Sequence, residues 1–146
     1  MKIIYYPFLI LCLTLLGIPV TAQQSAKITI DLKGLNDSLV YLASYGGDKQ
    51  FVVDTAVRTE NGSYVFRPGK LLDHGMYIFV DASKKRLFDF IIGQEQTFTI
   101  TGNTAQLPTS LISTKSTENH LLFDYMRFLA EKQKQQAALR ERLNKH

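Results

Sequence analysis

Residues able to do chemistry are few and scattered. His120 and Asp124 stand four apart, a spacing that puts two metal ligands on one face of a helix, and His74 lies in the turn-like stretch Leu71-Leu72-Asp73-His74-Gly75. Two ligands without a third or fourth do not hold a metal, so His120 and Asp124 read as a solvated pair. Gly46-Gly47-Asp48-Lys49 has the composition of a phosphate loop, but it joins two strands instead of opening a helix, and so lacks the converging amides and dipole that phosphate needs. No Gly-x-Ser-x-Gly elbow occurs, and the serines fall in turns or caps. Asp31, Asp37, Asp48, Asp54, Asp73 and Asp81 are dispersed singly. Asp89 interrupts an apolar run, where a carboxylate must be paired or protonated; a structural partner is the preferred reading. No catalytic, cofactor or metal site is assembled. The candidate contact for a ligand or partner is the pair of aromatics Tyr45 and Phe51 with Asp48 and Lys49 between them.

The elements that would position these residues are read from periodicity. From Ser25 to about Thr101, short alternating runs are separated by turn residues, which predicts a small antiparallel β-sandwich of about seven strands, with a partly open barrel as runner-up. Ile28, Ile30 and Leu32 form one dry face, and Val40 with Leu42 oppose Leu39, Tyr41 and Ala43 on the next strand. Asn61-Gly62 predicts a two-residue type I′ turn that sets Val57 against Phe66 and Thr59 against Tyr64, with Val53, Thr55, Val57, Tyr64 and Phe66 on one face. The runs Met76–Val80 and Leu87–Ile92 are apolar on both faces apart from Asp89, so this hairpin is placed centrally. Residues 102–113 read as a polar connector. At Ser116 the period becomes 3.6: Ser116 or Thr117 caps a helix whose apolar stripe is Leu121, Leu122, Tyr125, Phe128 and Leu129. Only Leu139 and Leu143 continue that stripe, too few for a stable coiled coil, so a monomer or weak oligomer is expected.

Charge shows the same division. The 146 residues carry 17 basic and 13 acidic side chains, but residues 23–114 balance at nine of each, whereas residues 115–146 hold seven basic and four acidic. The excess belongs to the helix. Without aromatic platforms or a basic groove it reads as a solvated surface and not as a nucleic-acid site. At the other end Met1-Lys2 precedes the apolar run Ile3–Val20, with Gly17, Pro19 and the small residue Ala22 before Gln23. This is the pattern of a signal peptide spanning residues 1–22, cleaved to leave no membrane anchor. Cys12, the one cysteine, leaves with it, so the mature chain holds neither a disulfide nor a redox thiol.

The stretches Gly34–Leu42 and Gly47–Ala56, the hairpin Asn61–Phe66 and Gly75-Met76-Tyr77 together resemble the N-terminal β-rich domain of exported Bacteroidetes proteins. The segment Lys115–Tyr125 resembles the start of the helical segment next to that domain in the same proteins. The resemblance covers about residues 25–130 and implies that the helical segment leads to a thioredoxin-like domain of the thiol:disulfide oxidoreductase type. The family's Cys-x-x-Cys pair is missing from this chain, which looks like the front part of the usual architecture ending inside the linking helix. What the resemblance implies is a non-catalytic accessory domain in the periplasm or cell envelope of a Gram-negative bacterium, with the helix as coupling element. Its partner would be a protein or a downstream thioredoxin-like domain. A peptide- or glycan-binding module using the Tyr45–Phe51 loop is the alternative. Asp37-Ser38-Leu39 and Asp54-Thr55-Ala56 also match the Asp-Ser/Thr-apolar tripeptide that such exported proteins glycosylate, which marks Ser38 and Thr55 as acceptors. Intact mass of the exported chain should exceed that of the bare polypeptide by whole sugar units, and Ser38→Ala with Thr55→Ala should abolish the excess; a native mass equal to the bare chain removes the assignment.

Overall fold

The computed structural model describes residues 24–144; the segment expected to be a signal peptide, its expected cleavage point and Cys12 lie outside the described residues. The strands are β1 (Lys27–Lys33), β2 (Leu39–Gly46), β3 (Lys49–Val57), β4 (Tyr64–Phe66), β5 (Gly75–Val80), β6 (Arg86–Ile92), β7 (Thr97–Asn103) and β8 (Ile112–Thr114), and one helix, α1 (Thr117–Leu143), comes after them. They form two four-stranded sheets, β4-β1-β7-β8 and β3-β2-β5-β6, a sandwich and not a barrel. The eighth strand is β8, inside the stretch read as connector. Its alternation is inverted, with Ser113 buried and Ile112 exposed, so hydropathy hides it.

Two pairings differ from expectation. The sandwich is not antiparallel throughout: β1 runs parallel to β7 over seven pairs, from Lys27 beside Thr97 to Lys33 beside Asn103. The chain between them crosses to the second sheet and returns twice, through β2–β3 and through β5–β6, which gives the long connection that a parallel pair requires. The Asn61-Gly62 turn is also one residue longer than expected. Thr59 N–H donates to Ser63 O at 2.8 Å and Gly62 N–H to Thr59 O at 2.9 Å, leaving a three-residue loop in which Gly62, at φ +84°, takes the left-handed position. Arg58 rather than Thr59 therefore faces Tyr64. A shift of one residue exchanges the faces: Val57 is exposed, Ala56 is buried with Tyr64 and Phe66, and β4 leaves β3 to pair with β1.

The core is an aromatic chain between the sheets. Tyr64 and Phe66 lie 6.1 and 6.2 Å from Phe79, which lies 5.3 Å from Phe88, and Phe90 meets Phe98 edge-on at 6.0 Å. Such offset contacts add about 1 kcal/mol each to the burial of the rings. The Tyr64 hydroxyl donates to Asp37 O at 2.7 Å, and burial raises its pKa above the usual phenol value. The central place expected for the β5–β6 hairpin holds for β5, but β6 is an edge strand, and the second apolar face of β5 belongs, with β2, to a smaller cluster on the outside of the sheet. There Ile78 is fully buried with Ala43 and Val80, and Tyr41 packs against them. Asp89 pairs across from Ile78, ion-pairs with Arg86 and accepts a 3.5 Å bond from the Tyr45 hydroxyl, which is the structural role expected of it.

The turn between β5 and β6 repeats the three-residue design. Asp81 N–H donates to Lys85 O and Lys84 N–H to Asp81 O, with Lys84 at φ 69° where a glycine would sit without strain. Burial works to raise the Asp81 pKa, but hydrogen bonds from Ser83 and the Lys85 amide outweigh it and hold the carboxyl below its usual value. What Lys84 offers against that strain is its side chain: Nζ lies 3.1 Å from the centroid of the Tyr41 ring, above the outer cluster. Left-handed strain of about 1 kcal/mol and a cation–π contact of similar size nearly offset each other. Urea denaturation should therefore find Lys84→Gly within about 0.5 kcal/mol of the parent and Lys84→Ala about 1 kcal/mol less stable, because alanine loses the contact and keeps the strain.

Candidate functional site

The root of α1 is built from the residues that start it. Ser116 is the N-cap: its Oγ accepts from the Asn119 amide N–H at 3.3 Å, and Glu118 stands in the first turn near the positive end of the dipole. Asn119 is completely buried. Its Nδ2 donates to Ile91 O and its Oδ1 accepts from Ile91 N–H, both at 2.7 Å, so one side-chain amide does for the edge of β6 what a neighbouring strand would do. One turn on, Phe123 enters the aromatic core edge-on to Phe88 at 6.4 Å. Arg127 ends this contact, with Nη1 donating to Leu111 O at 2.6 Å and Nη2 ion-paired with Asp124.

That root corrects the expected stripe. The face toward the sandwich carries Asn119, Phe123 and Met126, with Leu122 at its margin, whereas Leu121, Tyr125 and Phe128 are 63%, 58% and 56% exposed and Leu129 lies beside them. Hydropathy chose the wrong face because the strongest anchor is an amide and the last is an arginine. The nearest sequence signal is the pairing of a Ser cap with Asn three residues later, which marks an asparagine held in place from its own helix. From Glu131 to Asn144 every residue is exposed. Among the described residues no helix is long and apolar enough to cross a membrane.

Beside this root lies an open cleft of about 860 Å³, walled by His74, Glu95, Ser113, Lys115, Thr117 and His120. Thr117 Oγ1 donates to Glu95 Oε1 at 3.1 Å. Hydrogen bonding with the Glu95 side chain, aided by backbone amides, holds the Glu118 carboxyl below its usual pKa. Ser113 Oγ is buried without a hydrogen-bond partner, so no base is set to activate it. His120 turns along the helix instead, to Asp124 at 3.4 Å, as its spacing implies. Among the described residues no group of three His, Cys, Asp or Glu side chains could hold a metal.

Tyr45, Asp48, Lys49 and Phe51 all sit exposed on the β2–β3 hairpin, but they do not converge. Tyr45 pairs with Gln50 and Phe51 with Ser44, which puts the two aromatics on opposite faces. The Phe51 ring lies over Gly46, where a Cβ would come within 2.5 Å of Cε2, and Gly47 makes the turn at φ +62°. Gly46-Gly47 is thus a hairpin requirement and not a phosphate cradle. Ser38 and Thr55 are both exposed, Ser38 just before β2 and Thr55 on β3.

Compared with family models, curated proteins and solved structures, the chain matches none.

What the geometry offers is a helix rooted by specific bonds and bare on the far side. Asn119→Ala should cost about 2–3 kcal/mol in denaturant unfolding and speed hydrogen exchange at the Ile91 amide, since both Ile91 backbone groups lose their partners. Tyr125→Ala should stay within about 0.5 kcal/mol of the parent. Equal costs for the two substitutions would show that the helix is not seated as described.

Proposed function

We propose that this chain is a non-catalytic accessory domain working outside the cytoplasm, in the periplasm or cell envelope, and that it serves a thioredoxin-like protein by presenting a protein-contact helix. The observation that carries this reading is the orientation of α1. Asn119, Phe123 and Arg127 fix the helix to the sandwich, and that seating turns Leu121, Tyr125, Phe128 and Leu129 outward. Large apolar side chains held in the open on a rigid element are the usual form of a protein-binding surface. The resemblance to the β-rich N-terminal domain of exported Bacteroidetes proteins supplies the context, since there the same segment leads toward a thioredoxin-like domain. The mature chain is without cysteine in this reading, so its contribution to thiol chemistry is position and contact.

The divergent faces of Tyr45 and Phe51 leave the hairpin without a shared platform for a peptide or sugar, which favours the helix over the loop as the contact surface. Titrating a thioredoxin-like protein of the same cell into isotope-labelled chain should shift resonances of Leu121, Tyr125, Phe128 and Leu129 and leave those of Tyr45–Phe51 unchanged. Shifts confined to Tyr45–Phe51, or disulfide reduction by the chain alone, would overturn the proposal.

A further inference from the structure

We infer that the outward face of α1 is also self-complementary, and that a second copy of this chain docks on it with the two helices antiparallel. This rests on the reading of α1 as a protein-contact element and names one partner for it. The helix spans 27 residues, about 40 Å. On its solvent side Leu121, Tyr125, Phe128, Lys132, Gln135, Leu139 and Arg142 recur at alternating steps of four and three, the spacing of a helix-pairing seam. The anchors Asn119, Phe123 and Met126 lie on the opposite side, so the sandwich does not obstruct that seam.

Three features choose a second copy and its direction. The apolar residues are split between the ends, with Leu121, Tyr125, Phe128 and Leu129 near the root and Leu139 and Leu143 near the tip, all exposed. Only an antiparallel pair brings tip against root. Charge is divided in the same way: residues 117–130 carry Glu118 and Asp124 against Arg127, net −1, while residues 131–143 carry Lys132, Lys134, Arg140 and Arg142 against Glu131 and Glu141, net +2. Antiparallel pairing sets each negative half against a positive half and opposes the two helix dipoles, whereas parallel pairing stacks like on like, Lys132 on Lys132 included. The register inferred sets Phe128 of one copy against Leu139 of the other, Tyr125 against Arg142, and Lys132 against Gln135. Each layer then joins two apolar groups, a cation with a ring, or a cation with an amide. Lys132 already lies with Nζ 5.5 Å from the Phe128 ring centroid, its stem along the apolar face.

Sedimentation of the full chain at about 0.2 mM should give a dimer, and Leu139→Asp should raise its dissociation constant at least tenfold while leaving the thermal unfolding of the sandwich unchanged. Direction is read by cross-linking in a Cys12→Ser background. Copies with Phe128→Cys mixed with copies with Leu139→Cys should form mixed disulfide dimers, because the register brings those positions within disulfide reach, and neither variant alone should cross-link with itself. A monomer at that concentration, association that survives Leu139→Asp, or self-cross-linking of the Phe128→Cys chain would each overturn the inference. A monomer whose helix still binds a thioredoxin-like protein would remove the second copy and leave the proposed function standing; a dimer that binds no such protein would do the reverse.

Discussion

The structure hangs on one side-chain amide. β6 ends its sheet with backbone donors and acceptors facing outward, an arrangement that invites pairing with a foreign strand. Asn119 answers at Ile91 with one donor and one acceptor, both at 2.7 Å. The same two bonds fix the rotation of α1 about its axis, and that rotation decides which side of the helix a partner can reach. With Asn119 directed at β6, Phe123 must enter the core and Leu121, Tyr125 and Phe128 must face water. An unpartnered buried amide would be costly, so slippage by one residue is penalised at both ends of the contact.

How far the fold can be read from residue order is clear from where such reading fails. Alternation in Ile28-Thr29-Ile30-Asp31-Leu32 and the cap at Ser116 locate β1 and α1, because one face of each is wet and the pattern is local. The two-layer sandwich is legible on the same grounds. The turn after Thr59 is misjudged by one residue, since Asn61-Gly62 fits both a two-residue turn and the last positions of a three-residue loop, and only pairing with β1 separates them. The parallel pairing of β1 with β7 has no local signal at all. Nor does the seating of the helix, where hydropathy ranks Leu121 above Asn119 although the asparagine is the one buried.

The candidate residues divide in the same way. Tyr45 and Phe51 are near in sequence and exposed, as expected, yet strand alternation sets them back to back. Asp89 finds its partners in Arg86 and Tyr45, so the polar residue that interrupts an apolar strand belongs to the cover of the outer cluster around Ile78. Here cations and aromatics take the place of a third layer, with long side chains lying across a sheet face that no other element among the described residues covers.

The parallel β1–β7 pair carries a consequence for how the chain reaches this state. The second sheet is assembled from β2–β3 and β5–β6 hairpins whose partners are close in sequence, and loop closure for them is fast. The first sheet is different: its centre joins Lys27 to Thr97, and β4 and β8 flank that centre. It stays open until nearly the whole β region is present, so its closure falls late by contact order. A chain delivered from its N-terminus could pair β1 with β4 early, but would keep the other edge of β1 open until β7 arrives. Its final shape is set only when nearly all of the sandwich has emerged.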